Sequence, residues 1–172
     1  AYEQHYLRKI EHLRRAHMLL AVSESSRQEA IAHLDIAEDS IITVHNAADD
    51  HFQPLSLNGQ QIQKLRESFG LNRQFVLYTT GGTDERKNIP RLIRAYARLS
   101  HALRGKHQLV LAGKLPLDSV RLLKAEAKTA GLLKDEIVFT DYVTDQELVM
   151  LYNLCELFVF PSWHEGFGLP VL

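Results

Sequence analysis

The sequence predicts an α/β fold: a doubly wound parallel sheet from residue 75 onward, preceded by a smaller strand–helix–strand unit. Two observations carry this. Short, continuous apolar runs stand at residues 75–78, 108–112, 137–139 and 157–160, the pattern of parallel strands buried on both faces. Helical patterns fill the intervals, so the order is β-α-β-α-β-α-β, and crossovers of that length imply parallel pairing. In such sheets ligands sit beyond the carboxyl ends of the strands, and the chemistry is sought there.

The elements follow in order. A charged helix over about residues 3–15 opens the chain, then strands at 18–22 and 41–44 flank a helix expected to start at Ser26-Arg27-Gln28-Glu29 and end near Leu34. The polar stretch from His45 to His51 reads as the start of a linker reaching about residue 60, followed by a short helix over 59–69. After the 75–78 strand, Ile89, Leu92, Tyr96, Leu99 and Leu103 recur at three- and four-residue spacing and predict one helix over 88–103. A helix over 117–130 stops at Gly131. Thr144 and Glu147 form a capping box for a helix over 145–154. The domain boundaries expected are 1–45, 46–74 and 75–172. One strand–helix–strand unit is too small to bury a core alone, so residues 1–74 are expected to pack on the larger domain or on something else.

Composition narrows the classes. Of 172 residues, 45% are hydrophobic and 24% charged, as in a folded globular chain. Twenty basic residues nearly balance 21 acidic ones, so charge makes no case for nucleic acid. Arg91, Arg94 and Arg98 on one helix face read as a solvated polar surface. No HxH, HxxxH or HExxH occurs and Cys155 stands alone, so no metal is expected and no internal disulfide can form. A lone cysteine fits a reducing, cytoplasmic setting. No apolar run approaches the ~18–20 residues of a membrane span. The chain opens without a Met or a signal sequence and closes at Pro170-Val171-Leu172; it reads as a piece of a longer protein.

Three segments carry the chemistry. The loop from Tyr78 to Asn88 places Gly81 and Gly82 after a strand, and Arg86 and Lys87 before a helix, where N–H groups and the dipole favour an anion. Its spacing alone favours a tight turn with a solvated Arg–Lys pair over a diphosphate site, since it is neither a Walker loop nor GxGxxG. The loop from Pro161 to Pro170 follows the last strand; the amides of Gly166, Phe167 and Gly168 can converge on an anion beside the Glu165 carboxylate. Here a ligand site is favoured over a Gly-rich turn with an exposed Glu. The third, Thr140-Asp141-Tyr142-Val143-Thr144, reads first as a strand-to-helix loop whose backbone could also meet a nucleobase edge. Gly113-Lys114 reads as a turn.

Taken together, from about Met18 to Leu172, the chain resembles the family-four, or group 1, retaining glycosyltransferases of the GT-B fold. Residues 19–26 resemble the last strand and helix start of the acceptor-binding domain, and Ile42 to Asp49 the interdomain segment, with Ala47 where the family has Gly. Tyr78 to Asn88 resembles the GG-x4-KN phosphate loop, with Gly82 where many members carry Arg. Leu109 to Lys114 resembles a core strand, Asp141-Tyr142-Val143 the G-Y-V segment, and Phe160 to Leu172 matches F-P-S-x2-E-G-F-G-L-P-V-L-E up to its final glutamate.

The resemblance implies a Rossmann-like donor-binding domain over 75–172 and the tail of the acceptor domain over 1–45. It implies sugar transfer from a nucleotide-sugar donor to a carbohydrate or lipid-linked acceptor, with retention of configuration and no cofactor. Lys87, Gly81, Gly82, Arg86, Gly166, Phe167 and Gly168 are then the donor and phosphate contacts, Tyr142 and Val143 the nucleobase contacts, and Glu165 the catalytic carboxylate. The remaining acceptor domain is expected outside this chain, any membrane contact is expected through it, and the chain alone is expected to be inactive. Two other readings are a non-catalytic nucleotide-sugar-binding or scaffolding module, suggested by Gly82 and Ala47, and a GT-B-like epimerase.

Overall fold

The structure is a computed structural model that describes residues 2–172, with side chains from residue 4 onward. It forms two compact units: residues up to Ala48 together with Glu165–Leu172, and Asp49–His164. The smaller unit contains α1 (Tyr2–Arg14), β1 (Leu19–Ala21), α2 (Glu24–Leu34) and β2 (Ile41–Thr43). The larger contains α3 (Gly59–Phe69), β3 (Gln74–Thr79), α4 (Ile89–Ala97), α5 (His101–Lys106), β4 (His107–Ala112), α6 (Leu117–Thr129), β5 (Ile137–Phe139), α7 (Asp145–Leu154) and β6 (Leu157–Phe158).

The larger unit's sheet is parallel throughout, in the order β5-β4-β3-β6. Alternation along its strands divides the core into two layers. Tyr78, Leu109 and Leu111 face one way and pack with Ile89, Ile93 and Tyr96 of α4 and with Leu123 and Ala127 of α6. Phe75, Leu77, Val110 and Ala112 face the other way and pack with Leu65 of α3, Leu71 and Leu151 of α7. Helices therefore cover both faces, as the continuous apolar runs demand. The helix that the sequence assigns to a linker region, α3, thus supplies core: Leu65 is buried. Asn58 and Gln61 close a capping box at its start, and Gly70 ends it in the left-handed conformation.

In the smaller unit β1 and β2 pair in parallel and pack Ala21 and Ile41 against Ile36, with Ala30, Ile31 and Leu34 alongside. Among the described residues no helix is long and apolar enough to cross a membrane.

Three expectations are corrected. The single helix over 88–103 is two: α4 ends at Ala97, and Ser100 caps α5 by accepting from the Leu103 N–H. The break releases the Leu99 carbonyl to Arg104 Nε at 3.2 Å and lets the guanidinium turn inward. Leu99 and Leu103 are consequently exposed, and Ile93 takes the core position between Ile89 and Tyr96. Second, α2 begins at Glu24, because the Ser23 side chain, not that of Ser26, accepts from the helix's first turn. Third, the last strand is only two residues long, since only Val76 and Leu77 of β3 offer it partners.

Arg104 and Glu136 are both buried and bond at 2.7 Å; the same Glu136 oxygen accepts from the Leu133 N–H at 2.8 Å. Nearby, burial pushes the Tyr96 phenol up to about 12, and its hydroxyl donates to the His107 carbonyl at 2.9 Å. Removing one partner of a buried pair strands the other charge. Arg104→Met is expected to destabilise the fold by about 3–5 kcal/mol in urea denaturation, and Arg104→Met with Glu136→Leu by much less. Equal losses in the single and double variants would show that the pair's charges are not what the site depends on.

Candidate functional site

The strand order turns back after β5: the chain returns past β4 to lay β6 on the far side of β3. In a sheet of this topology the crevice at the carboxyl ends of the strands flanking such a reversal is the ligand position. Here those strands are β3 and β6, and the segments that leave them are the Gly81–Lys87 loop and the stretch starting at Val159.

The first loop is built around Asn88. Asp84 accepts from the Arg86 N–H and caps a 3-10 turn over Glu85–Lys87; Asn88, in the left-handed conformation, ends that turn and begins α4. Its Nδ2 donates to the Pro161 carbonyl at 2.9 Å, and the Trp163 N–H donates to the Arg86 carbonyl at 2.9 Å. These two bonds join the segment after β3 to the segment after β6. Gly82 has φ of +125°, which favours glycine, and this is the position where the Arg of many family members is missing. A Cβ placed on Gly81 would lie 3.6 Å from Lys87 Nζ, so the ammonium is folded back over the Gly81 backbone. Arg86 is held differently. Its Nε and Nη2 donate to the two oxygens of Asp84 at 2.9 and 3.1 Å, and these bonds hold the Asp84 carboxyl below its ordinary value. On α4, the Arg91 guanidinium lies 5.1 Å from the centre of the Trp163 ring, and Arg94 pairs with Glu126 at 2.7 Å. The polar face expected there is therefore partly engaged in packing.

The neighbouring strand ends are tied together. Gly113 forms a bridge with Asp141, its N–H donates to Thr140 Oγ1 at 3.1 Å, and its φ is +118°. Asp141 has φ of +61°, a conformation that Asp tolerates better than most residues. The family's glycine position is thus filled by a residue that adopts a glycine-like backbone. Tyr142 beside it is exposed, whereas Val143 packs into the core with Leu151 and Phe75. Thr80 Oγ1, at the end of β3, and Ser162 Oγ, after β6, are shielded from solvent and have no hydrogen-bond partner among the described residues.

Glu165, Gly166, Phe167 and Gly168 group with the smaller unit. There the Gly166 carbonyl accepts from two serine hydroxyls of the β1–α2 junction, and the Phe167 and His45 rings lie 6.0 Å apart. Gly168 has φ of +87° and precedes a 3-10 turn over Leu169–Val171 that contains Pro170. Glu165 is half-buried. Among the described residues no group of three or more His, Cys, Asp or Glu is arranged to hold a metal ion.

The family model for glycosyl transferases group 1 matches residues 61–172. The chain belongs to this family. It is 37% identical over 171 residues to the serotype-specific mannosyltransferase WbdA of Escherichia coli, covering 99% of this chain and 21% of that protein. It is 32% identical over 162 residues to O-antigen chain mannosyltransferase B of Escherichia coli, covering 94% of this chain and 42% of that one. Among solved structures, Anabaena HepE, crystallised with UDP and glucose, superposes with a TM-score of 0.75 at 22% identity over 93% of this chain and 42% of that chain. WaaG, a glycosyltransferase of lipopolysaccharide biosynthesis, superposes with a TM-score of 0.71. The fold is that of the GT-B glycosyltransferases. The chain spans about a fifth of the length of WbdA and about two fifths of the other curated relative.

In this member of the group 1 family the structure brings Lys87 onto Gly81 and places Tyr142 and Val143 after the end of β5. Sequence reasoning missed Asn88 as the residue joining two loops, and missed the cation–π contact of Arg91 with Trp163. The left-handed Asn88 could have been suspected from its place just before Ile89-Pro90, where a polar residue often enters a helix. The sequence predicts only a turn at Gly113, yet its tightest constraint is contact: a Cβ there would meet Thr80 Oγ1 at 2.5 Å and the Thr80 carbonyl at 3.1 Å. Gly113→Ala is expected to cost about 2–4 kcal/mol, from the positive φ and the clash together. Thr80→Ala added to it should recover part of that loss in thermal denaturation; no recovery would assign the whole cost to backbone strain.

Proposed function

We propose that the protein containing this chain is a retaining glycosyltransferase, and that this chain carries its donor-binding residues. The observation that carries the reading is Lys87 folded over the Gly81 backbone, in a loop at the reversal of strand order, in a group 1 family member. The donor is a nucleotide sugar, used as a substrate, and no cofactor is invoked. Mannose is the sugar proposed, because WbdA and O-antigen chain mannosyltransferase B are both named for mannosyl transfer. The acceptor is a carbohydrate or lipid-linked carbohydrate bound by an acceptor domain outside this chain, in the cytoplasm, with any membrane contact made through that domain.

The chemistry assigns the roles. Breaking the bond between the anomeric carbon and the diphosphate leaves negative charge on the diphosphate and positive charge on the sugar. Lys87 and the backbone amides of Gly81 and Gly82 stabilise the leaving diphosphate as fixed charges and dipoles. Arg86, oriented by Asp84, is the second cation of that loop. The amides of Gly166, Phe167 and Gly168 are proposed donor contacts, with Glu165 orienting the sugar and stabilising its charge. The backbone at Tyr142 and Val143 is proposed to meet the nucleobase.

Calorimetric titration of the full-length protein with GDP, UDP and ADP tests the donor site. One nucleotide is expected to bind, and Lys87→Ala is expected to weaken it by about tenfold or more, roughly 1.4 kcal/mol. Equal affinity in both proteins would remove Lys87 from the site. A second expectation concerns the 172-residue chain alone, which is expected to transfer no sugar; measurable transfer from a nucleotide sugar by this chain would overturn the assignment of the acceptor site to another domain.

A further inference from the structure

We infer that Ser23 and Ser26 are positioning residues that fix the Gly166–Phe167 peptide of the Glu165–Gly168 segment, and through it hold the Phe167 N–H, one of the proposed donor contacts, in a set direction away from α2. This rests on the functional reading above.

The geometry lies wholly within the smaller unit. Ser23 Oγ donates to the Gly166 carbonyl at 2.5 Å and Ser26 Oγ donates to the same oxygen at 3.0 Å. A carbonyl oxygen has two lone pairs, and both are engaged. Ser23 Oγ also accepts from the Ser26 N–H at 3.1 Å, so one hydroxyl caps α2 and anchors the loop at once. The negative end of the Gly166 carbonyl thereby meets the positive end of α2.

The anchor is itself braced. Glu24 accepts from Gln28 at 2.7 Å through one oxygen and from Thr43 at 2.7 Å through the other, and Arg27 Nε reaches the Ile41 carbonyl at 3.1 Å. Gly166 also sits close to this surface: a Cβ on it would lie 3.5 Å from Val22 and 3.8 Å from Ser26 Oγ. The Phe167 ring near His45 adds a second restraint.

Peptide planarity converts this anchoring into direction. No cis peptide bond occurs among the described residues, so the Gly166 C=O and the Phe167 N–H point in opposite senses. With the carbonyl aimed at α2, the N–H is aimed away from it. No hydrogen bond from that N–H is made among the described residues. An amide held in place before the substrate arrives loses no orientational freedom on binding, which is what preorganised stabilisation of an anion requires. Glu165, one residue before the anchored peptide, is oriented by the same restraint.

Capping and anchoring can be separated. Ser23→Asp keeps an acceptor for the Ser26 N–H but has no proton to give the Gly166 carbonyl. Ser26→Ala leaves the cap intact and removes the second donor. Ser26→Thr restores a hydroxyl. The full-length variants would be examined by thermal denaturation, by amide exchange of the peptide covering residues 165–172, and by nucleoside diphosphate release from GDP-mannose, UDP-glucose and ADP-glucose. Melting temperatures close to wild type are expected. Exchange in Ser23→Asp and Ser26→Ala should be roughly tenfold faster at Val171 and Leu172, whose N–H groups bond the Gly168 and Leu169 carbonyls within the anchored segment. Their kcat on the donor that the wild type uses should fall roughly 10- to 100-fold with a far smaller change in donor KM, and Ser26→Thr should keep it near the wild-type value. Unchanged exchange would overturn the anchoring. Faster exchange with unchanged kcat would overturn the positioning role while leaving the functional reading in place. Wild-type protein that releases diphosphate from none of the three donors would overturn the functional reading and this inference with it.

Discussion

A parallel sheet buries both its faces, and the larger unit is organised by that requirement. Phe75, Leu77, Tyr78, Leu109, Val110 and Leu111 are completely buried, although successive residues along each strand point to opposite sides. Two layers of helices must therefore be present: α4 and α6 over one face, α3 and α7 over the other. The helices also decide where the loops fall. Each strand delivers its carboxyl end to the same edge, and the reversal after β5 brings β6 beside β3. The proposed phosphate loop is at that edge because of the winding, whatever its own residues are.

Backbone conformation does much of the shaping at this edge. Gly82, Gly113 and Asp141 all have positive φ. Gly82 and Gly113 can take it without steric cost, and Gly113 also leaves the room that Thr80 occupies. Asp141 takes it at a cost that its short polar side chain reduces. Asn88 combines two tasks at a single left-handed position, ending the 3-10 turn and bonding Pro161 from its side chain. A loop framed in this way can present Lys87 without relying on Arg86, whose fork is engaged by Asp84.

Polar groups in the core limit where helices may run. The buried Arg104 needs Glu136 and the Leu99 carbonyl, and the latter is available only because α4 stops before it. Periodicity alone would have continued the helix, since Leu99 and Leu103 keep the spacing of the stripe. The need to satisfy a buried guanidinium outweighs the gain from burying two leucines, which stay on the surface.

The sequence by itself determined the fold class, the parallel order of elements and most of their bounds, because apolar runs, capping boxes and glycine stops are local signals. Thr144 with Glu147 and Gly131 after α6 behave as their spacing implies. Sequence also singled out the loops that follow the strands, since strand ends are legible wherever an apolar run gives way to glycine. Tertiary structure alone decided what depends on partners distant in the chain. Ser23 and Ser26 meet a carbonyl some 140 positions away. Arg91 finds Trp163, and Leu65 of α3 finds Leu151. None of these contacts leaves a trace in spacing, because a hydroxyl, a guanidinium or a leucine carries no record of which surface the folded chain will set against it.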